Sequence, residues 1–387
     1  MTVPPAAPAL SAAERQAAQT LLAEAWGERA EIRAAEALAD RRHVFRLHAG
    51  PGRSAVLKRR DGQDGGGFGA ELAALAYLNA MPEPIAPRLL GADAGAGILL
   101  MEDLGRGGSL AGSLLAGDRT RAEAGLAAYA RALASLHVWS MRRPAELAGL
   151  RARHAPGAAL GPGWLDAIEA GGEAFLSVAG RLGLAAGGAA AEISGLQAML
   201  GGAGYLGLVH GDACPDNVRL LDGSCRIFDF ETSGWGPVVL DAAYLLAPFP
   251  SCWCFARLPE AAAAPAIAAY RAGLQDAGIV LGPDWDAATA AALIGWIIAR
   301  GRGIAAALEE DREWGTTTMR PRLLAWLRTF LDTAGRAGVL PRLQALAGGM
   351  HDRLAARWPR TVIPDYPALA GPGSAPLSLP DWWQPDG

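Results

Sequence analysis

Residues 205–231, YLGLVHGDACPDNVRLLDGSCRIFDFE, form the one strand-like stretch in a long run of helical text. No other feature restricts the fold as much. Beyond Gly105, apolar residues recur at helical spacing over 118–140, 164–182, 188–200, 239–247, 259–277, 284–310, 318–336 and 340–357. Within the exception, VRLL and CRIF flank the turn Asp222-Gly223-Ser224 and predict a β-hairpin. Pairing about Gly223 sets Val218 opposite Phe228 and Leu221 opposite Cys225. The next pair outward is Asn217 with Asp229.

The first hundred residues read differently. Ser11 and Glu14 have the spacing of a capping box, opening a helix that runs to about Trp26. HVFRL and SAVLK are strand-like and are joined by the Gly/Pro turn HAGPGR, which makes a hairpin. DGQDGGG is a flexible loop, FGAELAALAYLNA a helix ended by Pro82, and APRLLGADAGAGILLMEDL two strands with a Gly-rich turn. At 387 residues the chain exceeds one typical core. The predicted class is α+β, with a small β-rich lobe, a large mainly helical lobe and a ligand in the cleft between them. The predicted boundaries are a helical extension over 1–30, the small lobe over 31–104, the helical lobe over 105–360, and an irregular tail over 361–387 that runs along the surface.

Composition narrows the function classes. Hydrophobic residues make up 51% and charged residues 19%, which argues for a folded chain. The net charge of −4, with no basic block, disfavours a nucleic-acid partner. No apolar run reaches the roughly 20 residues of a membrane span, and the N-terminus does not read as a signal peptide. Four cysteines in this length do not make a disulfide framework, so a cytoplasmic, reduced protein is expected, without nucleic-acid or membrane partners.

The chemistry is concentrated in the exceptional stretch. An amide oxygen from Asn217 and a carboxylate from Asp229 at one hairpin end suit Mg²⁺ that keeps several waters and bridges phosphates. Asp212 lies upstream in the same loop and could orient a hydroxyl and accept its proton.

His210-Gly-Asp212, then Asn217, then Asp229-Phe-Glu231, resembles the signature of the aminoglycoside phosphotransferase and choline kinase-like family, a branch of the protein-kinase-like fold. ILLMEDLG at 98–105 is similar to that family's interlobe hinge, and ALASLHVWS at 132–140 to its helix ending in Leu-His. The resemblance covers roughly residues 30–250. It implies Asp212 as catalytic base, Asn217 and Asp229 as Mg²⁺ ligands, and backbone groups around Glu102 and Leu104 holding the adenine of ATP. The implied partner is a small hydroxyl-bearing substrate, such as an aminoglycoside, amino alcohol, sugar or hydroxy amino acid. The chain is expected to be a monomer or homodimer. Protein kinases carry Arg where this chain has Gly211, and Gly where it has Glu231, and no Ala-Pro-Glu segment follows. A small-molecule acceptor is therefore favoured over a protein. A nucleotide-binding pseudokinase is the alternative from another class, and its only support is a phosphate-loop stretch, LADRRHVFRL, without glycine.

Lys58 is the only lysine among 35 basic residues. An ammonium on a flexible stem is not interchangeable with a planar guanidinium in a tight polar pocket. In kinase-like folds a lysine in this strand holds the α- and β-phosphates and a helix glutamate positions it. Glu71 shares a helical stripe with Phe68, Leu72, Leu75 and Leu78, where a carboxylate needs a partner, and Lys58 is the nearest cation.

Several residues are read as structural. His210 is taken as a hydrogen-bonder and Asp241 as a helix cap that braces the catalytic loop. Cys252 and Cys254 are taken as packing residues, Trp296 as buried, and the acidic run at 309–313 as solvated surface. Glu231 is left open between a metal or substrate contact and a buried structural carboxylate.

Overall fold

The protein is described from a computed structural model covering residues 9–38, 43–50, 52–60, 67–156, 163–202, 204–247, 252–374, 377 and 379–380. The glycine-poor phosphate stretch at 39–42 and most of the DGQDGGG loop, 61–66, lie outside the described residues. The chain divides into two compact units. The first comprises Met1–Arg106, Ala145–Ala158 and Phe228–Glu231; the second comprises Gly107–Pro144, Ala159–Ile227 and Thr232–Gly387.

In the first unit, α1 (Ala12–Trp26) starts at the predicted capping box. Ser11 accepts from the Glu14 amide, and the Glu14 carboxylate accepts from the Ser11 amide. Five antiparallel strands follow in the spatial order β1-β2-β3-β5-β4. They are β1 (Ala34–Ala37), β2 (Val44–His48), β3 (Ser54–Arg59), β4 (Leu89–Asp93) and β5 (Ile98–Glu102), with α2 (Gly67–Leu78) between β3 and β4. The strand β1 is absent from the sequence reading because AAEA has no alternation to mark it. Ala18 and Leu22 of α1 form one core with Phe45, Leu47, Ala55, Leu57, Ile98 and Leu100 of the sheet. Side chains alternate between faces along a strand, so Leu57 in that core turns Lys58 to the other face.

The turn after β5 is fixed from within this unit. Arg46 donates to both carboxylate oxygens of Asp103, at 2.7 and 3.1 Å, and to the Gly105 carbonyl at 3.1 Å. Both side chains are nearly buried. Burial opposes ionisation of Asp103, but hydrogen bonds from Arg46, Ser54 and the Gly105 amide more than offset it and hold the carboxyl below its ordinary 3.8. Its contribution to stability is therefore complete above that value and disappears as pH falls through the lower folded-state pKa. Asp103→Asn should cost about 3 kcal/mol in denaturant titrations at neutral pH. The difference from wild type should shrink as the solution is acidified below the ordinary value.

The second unit is mainly helical. Its elements, in chain order, are α3 (Leu110–Leu115), α4 (Arg119–Met141), α5 (Pro144–His154, most of which clusters with the first unit), α6 (Gly163–Arg181), α7 (Ala189–Gly202), β6 (Leu206–Val209), the hairpin β7 (Val218–Leu221) and β8 (Ser224–Ile227), β9 (Gly234–Pro237) and α8 (Val239–Ala242). Then come α9 (Glu260–Asp276), α10 (Pro283–Ala299), α11 (Gly301–Glu309), β10 (Glu313–Trp314), β11 (Thr317–Thr318), α12 (Met319–Ala337) and α13 (Pro341–Arg357). Helix α10 is the centre, buried without interruption from Ala288 to Ile298, and packs on α6, α7, α8 and α12. Among the described residues no single helix is long and apolar enough to cross a membrane.

Several sequence expectations change. The helix predicted over 284–310 is two helices, broken at Arg300. The break follows from backbone contact with α6: a Cβ on Gly171 would come within 2.1 Å of the Ile298 carbonyl, and one on Gly301 within 3.0 Å of the Gly171 carbonyl. The helix predicted over 239–247 stops at Ala242 and continues as a 3₁₀ turn, Ala243–Leu245. The tail does not simply follow the surface, because Tyr366 and Leu369 are buried and Arg119 donates to the Leu369 carbonyl. The expectation of a fully reduced protein is also corrected: Cys214 and Cys252 are joined by a disulfide across 38 residues, a pairing that no local spacing announces. Cys254 is a buried free thiol, as a packing residue would be.

Candidate active site

In the first unit, Lys58 lies at the end of β3 with its ammonium among three carboxylates. Its Nζ is 2.7 Å from Glu71, 2.6 Å from Asp229 and 2.8 Å from Glu231. The predicted Lys58–Glu71 pair is thus present. Asp229 and Glu231 also converge on this ammonium, a contact that no spacing within their shared motif announces. Asp229 adopts the left-handed region, φ 71°, which aspartate tolerates better than most residues. The 3₁₀ turn Phe230–Thr232 follows directly, and residues two apart both reach Lys58.

Charge in this cluster is unbalanced. Burial alone would discharge Lys58, but Glu71, Asp229 and Glu231 more than offset it and hold the ammonium far above its ordinary pKa. Burial pushes the Glu71 carboxyl up, Lys58 opposes that shift, and the other two carboxylates add to it. Three acids around one ammonium leave an excess of negative charge. Their oxygens lie within 4.8 Å of one another. An additional cation suits such a donor set, and all-oxygen donors favour a hard ion.

In the second unit, β6 leads into the loop His210–Asn217. Its backbone is clamped by Asp241, whose carboxylate accepts from the His210 amide at 2.6 Å and the Gly211 amide at 3.0 Å. Asp241 in turn meets His137 Nε2 at 3.3 Å, and His137 Nδ1 meets the Tyr270 hydroxyl at 2.7 Å. Asp241 and His137 are wholly buried and Tyr270 nearly so. The bracing role expected of Asp241 is therefore present, but it sits inside α8 rather than at its cap. His210 is fully buried and its Nδ1 accepts from the Asp212 amide, in line with the structural reading. Gly211 takes φ 79°, and a Cβ there would come 2.8 Å from the Thr232 carbonyl, so neither backbone nor space admits an arginine.

Asp212 is held through its backbone. Its carbonyl accepts from the Cys214 amide at 2.8 Å and from Asn217 Nδ2 at 2.9 Å. The Tyr129 hydroxyl donates to the Ala213 carbonyl at 2.8 Å. The amide group of Asn217 is thereby oriented, and its Oδ1 is buried with no hydrogen-bond partner. An orphaned buried oxygen of this kind costs free energy unless something binds it. A buried amide oxygen of this kind is a donor that suits a hard cation such as Mg²⁺.

The hairpin register differs from expectation. The structure pairs Val218 with Ile227 and Leu221 with Ser224, around a two-residue turn, Asp222-Gly223. Gly223 takes φ 72°, the left-handed region that glycine enters without a Cβ penalty. The predicted pairing of Val218 with Phe228 is out by one residue, so β-pairing does not set Asn217 opposite Asp229. The hinge residues are in the first unit: the Glu102 amide is used by the Arg88 carbonyl and its carboxylate accepts from the Arg88 amide. Leu104 follows directly after the fixed Asp103. Trp296 is buried as expected, donating to the Leu240 carbonyl.

Comparison with known proteins adds the family. A search among curated proteins finds no match. Solved structures similar to this chain include an aminoglycoside phosphotransferase from Alicyclobacillus acidocaldarius, at 16% identity, covering 84% of this chain and 93% of that one with a TM-score of 0.44. A choline kinase from Streptococcus pneumoniae is 12% identical, with coverage of 86% and 98% and a TM-score of 0.42. A macrolide 2'-phosphotransferase from Brachybacterium faecium is 17% identical, with coverage of 86% and 97% and a TM-score of 0.42. The family model described as the phosphotransferase enzyme family matches residues 31–291, which contain the Lys58 cluster and the loop His210–Asn217. The chain belongs to that phosphotransferase enzyme family.

Proposed function

We propose that this enzyme transfers the γ-phosphoryl group of ATP to a hydroxyl of a small molecule, with Asp212 as the catalytic base. The observation that carries the reading is the buried Lys58–Glu71 pair extended to Asp229. No purely structural need calls for three acids around the only lysine. Phosphoryl transfer passes through a loose transition state, so the protein's work is alignment and charge neutralisation. Lys58 would bind the α- and β-phosphates, and Glu71 would keep its ammonium in place. Backbone groups near Glu102 and Leu104 would hold the adenine. A Mg²⁺ ion held by Asn217 and Asp229 would supply further neutralisation of phosphate charge. Asp212 would orient the acceptor hydroxyl and take its proton late in the transfer. The setting we expect is the cytoplasm, with a small hydroxyl-bearing acceptor.

The test is ADP release from ATP and Mg²⁺ across aminoglycosides, amino alcohols, sugars and hydroxy amino acids, with Asp212→Asn as the blank. Acceptor-dependent ADP that disappears in the variant supports the reading and names the acceptor class. ATP binding without turnover on any acceptor would favour a pseudokinase. Absence of ATP binding would end the proposal.

A further inference from the structure

The catalytic loop is held by one bond that the phosphotransfer chemistry does not need. Cys214, two residues after Asp212, is joined to Cys252. A second link runs beside it, since Trp253 Nε1 donates to Asp216 Oδ2 at 2.9 Å. The receiving segment is itself immobilised. Arg322, fully buried, donates to the carbonyls of Cys252, Trp253 and Trp314, while the Thr316 hydroxyl and amide bond the Trp253 carbonyl. The disulfide therefore ties the loop to a strut.

The same sulfur touches the proposed base. Cys214 Sγ lies 3.0 Å from Asp212 Oδ1. A disulfide sulfur carries no hydrogen and cannot donate to that oxygen. A thiol in the same place can.

We propose that the Cys214–Cys252 bond is a reversible redox-modification site that positions Asp212, an inference that rests on the phosphotransferase reading given above. A dithiol reductant supplies two electrons and two protons; the S–S bond breaks, two thiols form, and the reductant closes to its own disulfide. The reverse step needs a disulfide oxidant and returns both protons. Reduction removes the tether between loop and strut and places an S–H donor against Asp212 Oδ1, where it competes with the acceptor hydroxyl. Both effects act on the transfer step. Neither touches the Lys58 cluster, which shares no residue with this site. Cys214 is thus a positioning residue rather than a catalytic one.

The other cysteines do not enter the exchange. Burial pushes the Cys225 thiol up to about 12 and the Cys254 thiol well above its ordinary value, so neither offers the thiolate that attacks a disulfide. Cys214 and Cys252 are themselves only 3% and 2% exposed, so reduction must follow a local opening of the loop.

The full-length protein, oxidised or preincubated with dithiothreitol, is compared for kcat, KM for ATP, and hydrogen exchange over residues 210–217, with thiol trapping to report which cysteines are free. Reduction should lower kcat by about ten- to a hundredfold with KM for ATP unchanged, and reoxidation should restore it. Exchange in the loop should rise on reduction. Cys225→Ser/Cys254→Ser should respond as wild type does, and Cys214→Ala/Cys252→Ala should show fast loop exchange that no longer responds to dithiothreitol. Equal kcat in two forms that trapping proves distinct overturns the proposal. So does recovery of Cys214 and Cys252 as free thiols after treatment with oxidised dithiothreitol. If no acceptor gives turnover, the phosphotransferase reading is what fails in the assay, and loop exchange still decides this inference: no change on reduction refutes it.

Discussion

Asp212→Asn should lower kcat by about a thousandfold while leaving ATP binding and the melting temperature close to wild type. The substitution is isosteric and leaves the backbone bonds at residue 212 in place: the Cys214 amide and Asn217 Nδ2 on its carbonyl, and its own amide on His210 Nδ1. Only the proton-accepting carboxylate is lost. The measurement is steady-state turnover with the acceptor identified in the panel, alongside ATP binding by calorimetry. Turnover within a few-fold of wild type would remove Asp212 from the role of base. Loss of ATP binding as well would mean that the variant damaged the site rather than the chemistry.

Lys58→Met is expected to abolish measurable turnover and, unlike Asp212→Asn, to destabilise the fold. Three carboxylates converge on the ammonium, and Glu71 is almost wholly buried. Removing the cation strands them, and breaking a buried pair from one side costs about 3–5 kcal/mol. Because the folded-state pKa of Lys58 is raised, its contribution is complete below the ordinary 10.5 and declines only as pH rises beyond it. The loss should therefore be constant through neutral pH, as followed by urea titration. Lys58→Arg keeps the charge, but a planar fork does not replace a point charge met by three acids from different directions. Its kcat should also fall, by at least tenfold. Wild-type turnover in Lys58→Arg would show that geometry at this position is unimportant.

The legible parts of the molecule were those whose signal is local. The capping box at Ser11 and Glu14, the ends of α4 and α12, and the pairing of Lys58 with Glu71 each rest on spacing within one element or on the cost of an unpaired charge in a core stripe. What failed has a common cause. AAEA has no pattern of its own and becomes β1 because β2 lies beside it. The hairpin slipped by one residue because two- and three-residue turns both accommodate Asp222-Gly223-Ser224, and only the ladder decides between them. The break after α10 follows from α6 pressing its backbone against Ile298, which no window of sequence around Arg300 contains.

The site divides in the same way. By itself, the sequence determined the chemical groups: the lone ammonium, the loop carboxylate of Asp212, and the amide and carboxylate of Asn217 and Asp229. Motif order carries that information because these groups sit on short, contiguous segments. Tertiary structure alone decided their partners. Asp229 and Glu231 reach Lys58 across more than 170 residues, Asp241 grips the loop with His137 and Tyr270 behind it, and Cys214 finds Cys252. Such contacts are set by how packed elements bring distant residues together, and their energies come from burial and pairing that exist only once the chain has folded.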